Sequence, residues 1–337
     1  MKRSLSMVLL GVVCLFIFAA CGQSHEDVVD DLTKKLDRLE GYKTKAVMTF
    51  KHGDKQQKYK AEIWYKKPDY YRVVLMDNNN ENTQMIIKNK NGVYLITPSL
   101  NKKYHFESEW PNNRSQYYLY QSLAKDIVHD ANAKFEAKED HYVFTTKTNY
   151  PTKILAYQKI TLKKKKLIPE NVKIMDKDMN VIIDIAFKDF TFSPKFDNDA
   201  FDVTHNEMSM KLDNQIPAMA AKKNDTFQIY QPTSNLPKNT HLAFSKDITD
   251  NGQRKFILKY EGDKPFTLIE TKSDAAKESA AIDIEADPVD LGFAVGVMTD
   301  HSLSWSNNGM DFYLASDNMS PEDMKAIAQS VNGTITK

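Results

Sequence analysis

Cysteine is the scarcest reactive side chain in this sequence, and its placement confines what it can do. Only Cys14 and Cys21 occur among the 337 residues, so nothing after residue 21 can form a disulfide or offer a thiolate to zinc. Cys21 closes the run Phe18-Ala19-Ala20-Cys21-Gly22, where small residues stand directly before a cysteine. That arrangement resembles a lipobox, in which the thiol is acylated and the cysteine becomes the mature N-terminus, although Phe18 stands where an aliphatic residue is usual. Upstream, Lys2 and Arg3 precede an apolar run over 5–20, the charged and apolar regions of a secretory signal, too short and one-sided for an ordinary membrane span. We therefore expect a signal peptide over 1–20, lipidation at Cys21 and a chain held at the extracytoplasmic face of a cell membrane. Two acyl chains anchor stably where one does not. The bland alternative is a plain signal peptide followed by an incidental cysteine.

Other groups that could react lack the required spacing. The eight histidines stand at 25, 52, 105, 129, 141, 205, 241 and 301, with no pair three or four apart on a helix, so no histidine metal site is expected. Asp77-Asn78-Asn79-Asn80-Glu81-Asn82 begins like a calcium loop, but Asn82 replaces the glycine of the sixth place and Lys88 the glutamate of the twelfth. There is no Gly-x-Ser-x-Gly elbow and no Walker loop. The expectation is a non-enzymatic protein without cofactor or metal. Lys and Arg number 46 against 45 for Asp and Glu, and a net charge of +1 gives no reason to expect nucleic acid. The tract 163–166 reads either as a solvated turn or as a contact for anionic headgroups beside the anchor. Gly292-Phe293-Ala294-Val295-Gly296 has GxxxG spacing, yet its apolar run is far below the roughly 20 residues of a span, which suits a buried strand or close-packed turn.

One set of residues could bind without reacting. Met48, Phe50, Ile63, Tyr65, Val73, Leu75, Met85 and Ile87 are expected on one sheet face, a surface rich in adaptable methionine and aromatic side chains. Left open, that face is an apolar cleft for a lipid or acyl chain; covered by helices, it is core.

The elements that position these side chains announce themselves by period. Over 42–52, Tyr42, Ala46, Met48 and Phe50 alternate with Lys43, Lys45, Thr49 and Lys51, the period of a half-buried strand. The same alternation recurs around Ile63 and Val73, then over 85–88, 92–97 and 103–108, with Asn91-Gly92 as a hairpin signal. Helices are expected over 23–40, from Val28, Leu32, Leu36 and Leu39, and over 115–130, from Leu119, Leu123 and Ile127. Further strands follow at 134–138, 141–146, 157–162, around Val172 and around Ile183. Residues 207–224 carry no alternation and read as a linker, which sets the expected domains at 21–207 and 224–337 with the linker over 208–223. Beyond it, strands are expected at 227–230, 256–260, 266–270, 281–285 and 311–315. A last helix has Ser320 as N-cap, Pro321 at its first position and Asp323 as the acidic third residue. The fold class is α+β: a large curved antiparallel sheet of about eleven strands, a half-barrel covered by helices, followed by a smaller α+β domain.

This order, together with the stretch Ala61-Glu62-Ile63-Trp64-Tyr65-Lys66-Lys67-Pro68-Asp69-Tyr70-Tyr71, Asn91-Gly92-Val93-Tyr94 and Leu167-Ile168-Pro169-Glu170, resembles the Lol-type lipoprotein carriers and the RseB-like stress sensors over roughly 25–205. The whole chain is similar to sporulation-associated lipoproteins of endospore-forming bacilli. The resemblance implies a half-barrel whose helices form a lid over an apolar concave face. Two functions are compatible with these features: capture of a lipid or acylated partner in that face, or docking of a membrane protein partner with the face serving as ordinary core.

Lipidation makes a direct prediction. Cys21→Ala should leave the mature domains folded but release the protein from the membrane, read by detergent phase partition. Unchanged processing and partition would remove the anchor.

Overall fold

Alternating residues over 42–108 build an antiparallel meander because each strand has an apolar face to bury. The computed structural model describes residues 23–52, 55–77, 83–111, 116–150, 155–215, 227–250, 252–273 and 281–334. In it, β1 (Gly41–His52), β2 (Lys55–Lys66), β3 (Tyr70–Asp77), β4 (Thr83–Asn89), β5 (Gly92–Thr97) and β6 (Lys102–Phe106) are neighbours in sequence order. Five more strands, β7 (Lys134–Ala137), β8 (His141–Lys147), β9 (Tyr157–Lys163), β10 (Ile168–Met175) and β11 (Val181–Phe192), extend the same sheet from its other side. There β11 pairs with β1, Met48 opposite Ile185. The eleven expected strands are thus present, and a twelfth, β16 (Ile282–Ile284), comes from the C-terminal third to pair parallel with β6. The sheet is open, with β16 and β7 at its edges.

A second sheet has the order β13-β14-β15-β20-β19-β18-β17, formed by β13 (His241–Asp250), β14 (Gln253–Glu261), β15 (Phe266–Lys272), β17 (Asp287–Asp290), β18 (Val295–Met298), β19 (Ser302–Asn307) and β20 (Met310–Ala315). A short pair, β12 (Tyr230–Pro232) with β21 (Val331–Thr334), completes the strands. Strands β13, β17, β19 and β21 were not legible in the sequence, and β18 only as the buried strand or turn expected at 292–296. β13 is exposed along most of its length and β18 is buried throughout, so neither alternates. The expected buried strand or turn at 292–296 is both: Leu291 N–H donates to Ala294 O at 2.9 Å, and β18 follows at once.

Four helices occur among the described residues. α1 (His25–Asp37) begins at a capping box between Ser24 and Asp27 and buries Val28 and Leu32. It ends three residues short of the expected stop, because Gly41 already opens β1, where an added Cβ would stand 2.6 Å from the Tyr65 carbonyl. α2 (Tyr120–His129) starts five residues later than expected. No side chain caps it in the usual way; instead the free N–H of Tyr120 donates to the Tyr42 hydroxyl at 3.2 Å, so the sheet terminates the helix. α4 (Pro321–Ser330) has the expected Ser320 cap, with Asp323 closing the box.

α3 (Val203–Gln215) runs into the first part of the expected linker, where residues 208–215 are helical, and 216–223 lie outside the described residues. Its sequence has no clear apolar stripe, so periodicity could not announce it. The helix is held by particular contacts instead. Arg72 Nε donates to Asn206 Oδ1 at 2.7 Å, and Lys103 Nζ meets Glu207 at 2.8 Å.

The C-terminal third is joined to the first sheet by more than β16. Val295 N–H donates to Gln84 Oε1 at 2.9 Å, Lys102 pairs with Asp311 at 2.7 Å, and one continuous apolar core runs through both sheets. Gly292 is one point at which the two parts approach closely. With φ +89°, an added Cβ would lie 2.0 Å from Tyr117 Oη and 2.2 Å from Phe50 Cζ.

Gly292→Ala should therefore destabilise by about 2–4 kcal/mol, since overpacking adds to backbone strain. Gly252→Ala, at φ +79° with open space around it, carries the strain alone and should cost about 1 kcal/mol. Denaturant midpoints of the two variants test the difference.

Candidate functional site

The candidate apolar face is built from alternating positions of β1, β2 and β3. Register places Ile63 opposite Val73, Tyr65 opposite both Tyr42 and Tyr71, and Leu75 opposite Ala61. Met48, Phe50, Ile63, Tyr65, Val73 and Leu75 consequently share one face and one core, none more than 7% exposed.

Met85 and Ile87 do not share it. The β3–β4 register sets Val73 opposite Ile86 and Leu75 opposite Gln84, so Met85 and Ile87 point to the other face, where they pack with Val74, Ile96 and Met210 of α3. The sequence concealed this because β4 is buried on both sides; Met85, Ile86 and Ile87 are all apolar, and period two cannot say which faces inward.

Every one of the eight side chains is covered. Over the inner face lie α1, α2, Trp110, Tyr117, Tyr118 and the loop around Phe293. Phe293 packs on Phe50 and Tyr59 with ring centroids 6.4 and 5.8 Å away. At the other end, Tyr42, Tyr65, Tyr71 and Trp110 form a chain of ring contacts at 5.0–5.7 Å. Polar bonds tie this aromatic layer to α2: the Tyr42 hydroxyl donates to Gln121 Oε1 at 2.9 Å, and Gln121 Nε2 donates to the Tyr71 hydroxyl at 3.3 Å. Burial drives the Tyr42, Tyr59, Tyr65 and Tyr71 phenols above their ordinary range, so they stay neutral.

Buried charge sits at the seam between the two parts. Burial raises the pKa of the Asp290 carboxyl, against the opposing effects of Lys325, the Tyr118 hydroxyl and the Gly292 N–H, which donates to it at 2.5 Å. This geometry holds the Gly292 turn in place.

The histidines disperse. His105 bridges Asp283 and the Asn91 carbonyl, both at 2.8 Å, and so fastens β16 to β6; His141 pairs with Glu170 at 2.8 Å and His205 with Asp199 at 3.1 Å. Among the described residues no group of three or more His, Cys, Asp or Glu is arranged to hold a metal, and no helix is long and apolar enough to cross a membrane. Cys21 lies outside the described residues.

Two surface features carry more promise than the covered face, and periodicity revealed neither. One is β13, which among the described residues pairs only with β14 and exposes Leu242 and Phe244, the latter at 50%. The other is a cleft of about 610 Å³ between α1 and the β9–β10 turn. A third, smaller space of about 230 Å³ separates the β5–β6 end of the first sheet from Trp305 and Tyr313 of the second.

The model of the "Sporulation protein YdcC-like" family matches residues 1–201. The chain is 42% identical to sporulation protein YdcC of Bacillus subtilis over 338 residues, covering 100% of this chain and 99% of that protein. Among solved structures it is similar to the MucA/MucB complex of Pseudomonas aeruginosa, with 10% identity, a TM-score of 0.32 and coverage of 91% of this chain and 99% of that one. It is also similar to a LolA superfamily protein from Nitrosomonas europaea, with 10% identity, a TM-score of 0.30 and coverage of 52% and 98%.

Ile63, 0% exposed, discriminates covered face from open cleft. Ile63→Asp places an unpaired carboxylate in a dry core and should cost about 3–5 kcal/mol. A variant that melts like the parent but no longer takes up a fluorescent fatty acid would instead mark the face as an open lipid site.

Proposed function

This chain belongs to the YdcC-like sporulation protein family, and on that premise we propose a non-enzymatic, lipid-anchored protein. It is held through Cys21 at the extracytoplasmic face of a cell membrane, where it serves spore formation by docking a protein partner. Residues 224–337 are the unit that presents the docking surface.

The observation that carries this reading is the exposed edge strand β13. Ten residues long, it is bonded among the described residues on one side only, which leaves a row of backbone donors and acceptors at the edge of the sheet, the arrangement by which a sheet recruits another chain. Its C-terminal half is guarded by charge, with Arg254 clamping Asp247 and Lys255 meeting Asp250. Its N-terminal half is not: Leu242 and Phe244 stand outward at 41% and 50% exposure. A bulge between these two residues interrupts the ladder, which discourages indiscriminate strand pairing and leaves recognition to the side chains.

The reading as a lipid carrier has less support. It needs the inner face around Ile63 to be uncovered, and Ile63, Val73 and Leu75 are buried there in one core with Trp110 and Phe293. The docking reading needs no such rearrangement.

The test is a double substitution, Leu242→Asp with Phe244→Asp, in a sporulating host. Since both side chains are exposed, the melting midpoint should stay within about 0.5 kcal/mol of the parent, while spore yield falls to that of a strain lacking the protein. Normal sporulation with the variant present at the membrane in parental amount would reject β13 as the docking surface.

A further inference from the structure

The cleft between α1 and the β9–β10 turn gathers cations from two distant parts of the chain. Lys34, Lys35 and Arg38 line it from α1 and its end, and Lys164 and Lys166 from the turn, with Leu39, Leu167 and Phe192 as an apolar floor. Two carboxylates share the lining, and both are engaged: Asp31 lies 4.0 Å from Lys34 and accepts from Gln23 Nε2 at 3.0 Å, and Glu40 pairs with Lys67 at 3.1 Å. Lys35, Arg38, Lys164 and Lys166 pair with no carboxylate among the described residues. Lys35 Nζ sits instead 4.0 Å over the Phe192 ring, and Lys164 Nζ 5.2 Å over Tyr142.

Like charges are crowded here. Burial lowers the pKa of Lys35, and the neighbouring Lys166 lowers it further, so an anion placed between them gains from both. The turn that presents Lys166 is itself unfavourable, with Lys166 and Leu167 successively at φ 70° and 48°, a left-handed conformation that side chains with a Cβ resist.

The start of the described chain is fastened at the rim. Gln23 lines the cleft; its amide donates to Asp31, and its carbonyl oxygen accepts from the Tyr142 hydroxyl at 2.5 Å. Cys21 precedes Gln23 by two residues, which span at most about 7 Å of extended chain. An anchor at Cys21 therefore leaves the protein beside this cleft and nowhere else on its surface.

We propose that the cleft binds anionic phospholipid headgroups of the membrane that holds the anchor, and so sets the orientation of the protein on the bilayer. The proposal rests on lipidation of Cys21, and it adds a second contact to the acyl chains. Headgroups meet the cations while the apolar floor faces the glycerol and acyl boundary. Polybasic surfaces next to lipid anchors act in this way on anionic membranes.

The test uses the full lipidated protein, reconstituted into vesicles of phosphatidylcholine alone or mixed with phosphatidylglycerol, with an amine-modifying reagent read by mass spectrometry. Lys35, Lys164 and Lys166 should be protected roughly fivefold in the anionic vesicles at low salt. The protection should be absent in phosphatidylcholine and lost at high salt. Lys259, exposed on β14, should label equally throughout. In the double variant Lys35→Gln, Lys166→Gln, Lys164 should lose its protection while the protein still floats with the vesicles. Flotation with equal labelling in both vesicles overturns the headgroup site and leaves the anchor intact. Equal protection by inorganic phosphate in detergent, without vesicles, assigns the cleft to free anions and also overturns it. A protein that floats with neither vesicle brings down the anchor and this proposal together.

Discussion

A sheet of twelve strands has two wide faces, and in this protein apolar side chains point out of both. α3 covers one over β4, where Met210 seals Val74, Met85 and Ile87. The other needs a larger cover, assembled from α1, α2, Trp110, Tyr117, Tyr118 and the loop around Phe293. Because these pieces come from widely separated parts of the chain, the N-terminal sheet is sealed only when the C-terminal third is in place. Apolar burial supplies the drive, and it is non-directional. The bonds from Tyr42 through Gln121 to Tyr71, and from Gln84 to Val295, supply the registration that burial alone lacks.

That constraint moves the search for function from the middle of the sheet to its margins. The face that carries Phe50 and Ile63 is buried, and the Gly292 turn fits between Tyr117 and Phe50 only because it lacks a Cβ. The margins are different in kind. Among the described residues β13 leaves a hydrogen-bonding edge and two apolar side chains exposed, while the α1 cleft concentrates positive charge beside Gln23. One surface suits a protein and the other suits a membrane. They lie on different sheets, so both can be engaged at once.

Much of the fold was legible because half-buried strands must alternate. The eleven strands β1 to β11 and the cap of α4 at Ser320 follow from local residue patterns. Six of the eight residues read as one apolar face do share it. Period two carries no information where a strand is buried on both sides, as in β4, or exposed on both, as in β13, and there parity or existence was missed; β19 alternates, with Leu303 and Trp305 buried, and was missed all the same. α3 was missed for a related reason: it is held by Asn206, Glu207 and Met210 individually, without a continuous stripe.

What the sequence by itself determined is therefore the set of elements whose burial is one-sided, together with the chemistry that scarce residues forbid. Tertiary structure alone decided which elements cover which face: that Phe293, more than 200 residues from Phe50 and Tyr59 in sequence, seals the sheet; that β16 leaves the second sheet's neighbourhood to extend the first; and that Lys35 meets Lys166 across a cleft. The physical reason is the reach of the forces. Backbone periodicity is imposed by neighbours a few residues apart and is written locally, whereas burial and charge act between any surfaces that the folded chain brings together.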